Sequence, residues 1–85
     1  MKFRKRPLEV EAIQLTKENR DEFLEWLETH KCPSTWYVAQ QELGIYTLEG
    51  TLTVSDGDWV IKGIKGEFYP CKPDVFEETY DKIEE

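Results

Sequence analysis

Pro70-Cys71-Lys72-Pro73 sets a thiol beside a cation and just ahead of an expected helix start. Both neighbours lower a thiol pKa and favour the nucleophilic thiolate. Packing of a small apolar side chain in a strand is the simpler account of Cys71 and is favoured. His30, the single histidine, could serve as a general base, yet no Ser or Cys motif surrounds it. Its place at the expected end of a helix suits a basic residue facing the negative pole of the helix dipole. Gly63-Ile64-Lys65-Gly66, with Lys62 alongside, resembles a phosphate-cradling loop only on the surface. A Walker-type loop needs Gly-x-x-x-x-Gly-Lys-Ser/Thr leading into a helix, where amides and dipole meet the anion. These glycines join strand to strand and Glu67 follows them, which reads as a hairpin turn.

Carboxylates are plentiful, and Asp56/Asp58 or Glu77-Glu78 invite acid–base or cation chemistry. General acid–base work needs two carboxylates in different environments converging on one cleft. Asp56 and Asp58 flank a turn glycine, where side-chain-to-backbone bonding explains them more cheaply. The twelve-residue spacing of a calcium loop is missing, and Glu77-Glu78 reads as a solvated helix face. Cys32 and Cys71 form no Cys-x-x-Cys pair, and with one histidine a zinc site would have to borrow carboxylates, whereas structural zinc favours four Cys or His. The expectation is no metal, no cofactor and two free thiols in a reducing cytosol, with a disulfide left open.

Trp36, Tyr37, Trp59, Phe68 and Tyr69 could make a base-stacking surface of the kind single-strand binders use. In strands, Trp59 and Ile61 share one face while Phe68 and Tyr69 point oppositely, so at least one aromatic faces away from the core. With Tyr69 outside and Lys62 and Lys65 at the same end, a small nucleotide or peptide patch would form. An aromatic core on both faces of the sheet, under two helices, is the favoured alternative. The candidate ligand- or partner-binding residues are therefore Lys62, Lys65, Glu67, Tyr69, Cys71 and Lys72, around one hairpin and its exit. No catalytic residue is assigned.

The elements that must position these residues fit in 85 residues, a single domain spanning 1–85. A chain of this size buries about 60–65% of its unfolded surface, enough for one modest core. Three Trp, four Tyr and four Phe give that core large pieces, each burying roughly 150–250 Å² when packed. No apolar run is long enough for a membrane span, and Glu9 and Glu11 interrupt any signal-peptide apolar region. A soluble, cytoplasmic protein is the default expectation. The net charge is −7, but residues 1–6 hold Lys2, Arg4, Lys5 and Arg6 without an acid. The remainder carries seven basic and eighteen acidic side chains, a balance of −11. Such a surface repels phosphate backbones, so bulk nucleic-acid binding is disfavoured.

Leu8 to Leu15 alternates apolar and polar residues, the period of a half-buried strand, with a phase slip at Ala12-Ile13 that marks a bulge or strand end. Asp21 and Glu22 open a helix carrying Phe23, Leu24, Trp26 and Leu27 and ending near His30-Lys31. Strands are predicted at 35–39, 43–48, 51–54, 59–62 and 67–71, divided by turns at Gln40–Glu42, Glu49-Gly50, Ser55–Asp58 and Gly63–Gly66. Asp74-x-x-Glu77 fits a capping box with Asp74 as cap, and Phe76, Tyr80 and Ile83 form one apolar stripe opposite Glu77, Glu78, Asp81 and Glu84. The fold class is α+β: an N-terminal strand, one helix, an antiparallel β-meander of four to five strands and a short C-terminal helix.

The basic-Arg-Pro start, Val10-Glu11-Ala12-Ile13-Gln14, Thr47-Leu48-Glu49-Gly50, Gly57-Asp58-Trp59-Val60-Ile61-Lys62-Gly63 and Gly66-Glu67-Phe68-Tyr69-Pro70-Cys71-Lys72-Pro73-Asp74-Val75-Phe76 stand in a telling order. The chain thereby resembles a group of short phage and prophage proteins of Gram-positive bacteria, of the PGDYG type. Relatives have Pro-Gly-Asp-Tyr where this chain has Asp56-Gly57-Asp58-Trp59, and residues 20–41 match weakly. The resemblance implies a phage accessory role and carries no assigned activity, so no catalytic residue is transferred.

Together these readings point to a non-enzymatic accessory protein that binds a host or phage macromolecule, with a protein as the expected partner. Alternatives are a nucleotide-like ligand binder acting against host defence and, more weakly, an acidic mimic of DNA. The basic N-terminal segment supports a fainter idea of nucleic-acid contact. The oligomeric state is left open.

Overall fold

The computed structural model describes residues 1–4 and 8–83. Lys5 and Arg6 of the basic segment and Glu84 of the final polar stripe lie outside the described residues. The chain is α+β, as its periodicities indicate. Its elements run β1 (Glu11–Gln14), α1 (Arg20–Thr29), β2 (Ser34–Tyr37), β3 (Glu42–Thr47), β4 (Gly50–Val54), β5 (Trp59–Lys62), β6 (Phe68–Cys71) and α2 (Pro73–Thr79). No helix is long and apolar enough to cross a membrane among the described residues.

The five strands after α1 do not make one continuous meander. They divide into two antiparallel sheets of three strands, β2-β3-β4 and β1-β5-β6. The break falls at the Ser55–Asp58 turn, whose polar groups are engaged elsewhere. Gly57 N–H donates to the Leu15 carbonyl at 2.7 Å, and Leu15 N–H donates to the Asp58 carbonyl at 2.9 Å. Asp58 N–H returns to the Ser55 carbonyl at 2.9 Å. Gly57 sits at φ +91°, a conformation that glycine adopts without steric cost. The turn thus delivers β5 to β1 rather than back to β4.

Register between β1 and β5 runs unbroken from Glu11↔Lys62 to Gln14↔Trp59. The phase slip at Ala12-Ile13 is therefore a strand start and not a bulge. Asn19 then ties β1 to α1: its Oδ1 accepts Thr16 N–H at 2.8 Å and its Nδ2 donates to the Gln14 carbonyl at 2.7 Å. The helix ends in a Schellman arrangement, with Lys31 N–H to the Glu28 carbonyl and Cys32 N–H to the Leu27 carbonyl. Lys31 takes the left-handed position at φ 57° where glycine is commoner.

The main core lies between the inner faces of the two sheets and α1. Leu15, Phe23, Leu27, Leu43, Ile45, Val54, Val60 and Phe68 are buried in it, each worth about 1.5–3 kcal/mol on leaving water. A second, smaller packing layer covers the other face of β1-β5-β6. Ile61 is fully buried between Ala12 and Tyr69 in register, and the Trp59 ring stacks on Phe76 of α2 at 3.9 Å and 8°. Phe76 in turn meets Tyr80 at 5.0 Å.

Two expectations about α2 are corrected. Lys72, not Asp74, is the N-cap residue, and no side chain caps the helix. Pro73 takes the first helical position, where its fixed φ and missing N–H cost nothing, so Asp74 falls inside the first turn and acts on the dipole. The apolar stripe also stops at Tyr80, which is extended, and Ile83 beyond it is 59% exposed.

Candidate functional site

Hairpin β5–β6 and its exit carry all six sequence-derived candidates, and alternation distributes them. Lys62 stands on the β1-β5-β6 face that bears Val60 and Phe68, in register with Glu11. Its Nζ lies 3.5 Å from His30 Nδ1, and Glu11 Oε2 lies 3.3 Å from the same atom. One ring nitrogen cannot serve both at once. Unprotonated, it accepts from the Lys62 ammonium; bearing hydrogen, it donates to Glu11. The Trp26 ring, 4.3 Å away, completes this cluster at the end of α1. His30 is the C-cap residue, so its backbone ends the helix while its side chain joins β1 to β5.

Tyr69 and Cys71 occupy the opposite face, beneath α2. The Tyr69 hydroxyl is 3.5 Å from that of Tyr80. Burial, then the Tyr80 hydroxyl and nearby negative charges, push the Tyr69 phenol up to about 12. Burial and the carboxylates of Asp74 and Asp58 likewise raise the Cys71 thiol above its ordinary value. These causes oppose the activation that a neighbouring cation would give Cys71, the reading the sequence already disfavours. Lys72 sends its ammonium to Asp58, 3.1 Å from Oδ2 and 3.3 Å from Oδ1, and the carboxylates nearest the thiol oppose the thiolate. Cys32 packs against the main core, where burial pushes its thiol up to about 11, and both cysteines are free.

Lys65 and Glu67 sit at the exposed turn itself. Gly66 N–H donates to the Gly63 carbonyl at 3.0 Å, and Gly63 N–H to the Glu67 carbonyl at 2.7 Å. Those amides close a hairpin instead of cradling an anion. The Glu67 side chain lies across Gly63, in space that a Cβ there would need. The six candidates thus fall in four places: Lys62 in the His30 cluster, Lys65 and Glu67 at the turn, Tyr69 and Cys71 in the layer under α2, and Lys72 against Asp58 at the start of that helix. A nucleotide patch uniting Lys62 with Tyr69 would have to span both faces of one sheet. Among the described residues, no three His, Cys, Asp or Glu converge as a metal-holding group.

Sequence reasoning missed a groove between the ends of the two hairpins. Pro33, Tyr46, Thr47, Leu48, Gly66, Glu67 and Phe68 line it, around about 400 Å³ of mostly apolar space. Leu48 is fully exposed at the β3–β4 tip, Tyr46 is half exposed, and Ile64 is 63% exposed at the β5–β6 tip. A signal was available, because Thr47-Leu48-Glu49-Gly50 and Gly63-Ile64-Lys65-Gly66 each place a large aliphatic where turns favour Asn, Asp or Gly. A smaller recess of about 180 Å³ beside Thr16, Trp36 and Gln41 lies next to Arg20, whose guanidinium stands 5.4 Å above the Trp36 ring.

No family model, curated protein or solved structure matches this chain.

Proposed function

We propose that the protein is a non-enzymatic binding module that docks a protein partner at the groove between its β3–β4 and β5–β6 hairpin tips. In this reading it is a phage accessory protein working in the cytoplasm of a bacterial host. One observation carries it: Leu48 and Ile64 are exposed at the two tips, and the space between the hairpin ends is apolar. Neither tip side chain contributes to the buried core, so their apolar character has no folding role. Exposed apolar side chains beside an apolar groove are typical of interaction sites. Small-molecule pockets instead add convergent polar groups to fix orientation, and Glu67 is the single charged residue in this lining.

Affinity capture from host lysate at near-physiological salt tests the proposal, using wild type beside Leu48→Glu and Ile64→Glu. A defined protein retained by wild type and lost from both folded variants supports the groove. Recovery of the bait alone, or equal capture by all three, overturns it.

A further inference from the structure

The geometry points to self-association through the free edge of β4, which pairs antiparallel with β4 of a second copy about a two-fold axis. This goes beyond the groove and does not depend on it. Tyr46 N–H donates to the Pro33 carbonyl at 2.9 Å, which fixes the alternation of the β2-β3-β4 ladder. Glu42, Gly44 and Tyr46 bond towards β2, and Leu43, Ile45 and Thr47 bond towards β4. Thr51 and Thr53 therefore turn their backbone N–H and C=O groups outward. Among the described residues, no hydrogen bond outside the ladder reaches either N–H.

Two of the other three sheet edges are blunted. Pro70 sits at an outward position of β6, where the N–H that a docking strand would need is missing. The Gln14 carbonyl at the edge of β1 is taken by Asn19. Natural proteins guard edges by such devices and by charge. Gly50-Thr51-Leu52-Thr53-Val54 has neither proline nor charge, in a chain of net charge −7.

An uncharged strand is what a second copy of an acidic protein requires, because pairing then brings no like charges together. The strand is also self-complementary. With Leu52 on the axis, Thr51 of one copy faces Thr53 of the other as a doubly hydrogen-bonded pair, and cross-strand Thr pairs are favourable. The two Leu52 side chains, each half-buried in the monomer, meet in the close non-hydrogen-bonded position. The product is one continuous sheet of six strands, β2-β3-β4-β4-β3-β2, with both inner edges removed.

Sedimentation across a dilution series, with amide exchange of Thr51 and Thr53, tests this. Wild type should form a dimer whose Thr51 and Thr53 amides lose protection on dilution, while the Leu52 amide stays protected throughout. Thr53→Pro removes one outward N–H and leaves the β3–β4 ladder intact. It should raise the dimer dissociation constant roughly tenfold or more, as loss of paired hydrogen bonds implies. The double variant Thr51→Lys/Thr53→Lys keeps every backbone group but sets like charges across the axis, and it should be monomeric at low salt. A monomeric wild type at millimolar concentration overturns the proposal. So does a dimer that survives undiminished in either folded variant.

Discussion

Lys72 Nζ lies 3.1 Å from Oδ2 of Asp58, a carboxylate whose side chain is 5% exposed while the lysine remains 68% exposed. The same Oδ2 accepts Ser55 N–H at 3.0 Å. One buried carboxylate therefore closes the β4–β5 turn and tethers the first residue of the α2 cap to it.

This sharing makes the pair asymmetric. Asp58→Ala leaves the Ser55 turn amide without its acceptor and should cost about 1–3 kcal/mol in urea unfolding. Lys72→Met removes a largely solvated charge and should cost no more than about 1 kcal/mol. Equal losses for the two variants would contradict the assignment of Asp58 as the shared acceptor.

The Cys71 thiol should alkylate slowly at neutral pH, because burial and the carboxylates of Asp74 and Asp58 hold it protonated. Asp74→Asn removes one of those charges and should speed iodoacetamide labelling of Cys71, read by mass spectrometry in the folded protein. An unchanged or slower rate would leave the carboxylate without the influence assigned to it.

Alkaline stability follows from Cys32. Its thiol ionises at 9.0 in the ordinary case and at about 11 in the fold. Between these values the unfolded chain has released a proton that the native chain still holds, so rising pH favours unfolding. The contribution is fully present below pH 9 and is lost as pH climbs through about 11. Unfolding midpoints measured from pH 8 to 11 should fall less steeply in Cys32→Ser than in wild type.

Gly44 lies under the Tyr37 ring. A Cβ there would stand 2.8 Å from the ring edge and hydroxyl and 2.9 Å from Thr51 Cγ2. Gly44→Ala should destabilise by about 1–3 kcal/mol through this overpacking. Adding Tyr37→Ser should recover part of the loss, giving a non-zero coupling in a double-mutant cycle. Strict additivity would place the strain elsewhere.

The stack of Phe76 on Trp59 at 3.9 Å holds α2 over Ile61. Phe76→Leu keeps apolar bulk but loses the ring contact and should cost about 0.5–1.5 kcal/mol. Phe76→Ala should open α2 to limited proteolysis while the body of the domain stays resistant. Unchanged resistance of α2 would mean that Tyr80 alone secures it.

Much of this architecture was legible in short stretches. Trp59–Lys62 was expected as a strand and is one with the same bounds, because aromatic and β-branched residues between two glycine turns leave the backbone little else to do. The helix carrying Phe23 and Leu27 was equally plain from its acidic first turn and apolar face. Of the candidate site, the hairpin turn around Gly63 and Gly66 is legible from its glycines. The cap of α2 was misassigned because Asp74-x-x-Glu77 fits a capping box in isolation, while Pro73 holds the first helical position and moves the cap to Lys72.

What the sequence determined by itself was local: α+β content, the turns and the helix that follows β1. These depend on backbone preferences and on apolar periods of two and 3.6 residues, which act between near neighbours. Only the tertiary structure decided that β5 leaves β4 for β1, that Lys62 and Tyr69 take opposite faces, and that Lys72 serves Asp58. It also brought Leu48 and the Gly66–Phe68 segment to one groove. Each of these joins residues whose separation carries no periodic signal. The β4–β5 turn and the Lys72 tether form because a buried carboxylate and a turn amide must find partners wherever the packed chain supplies them.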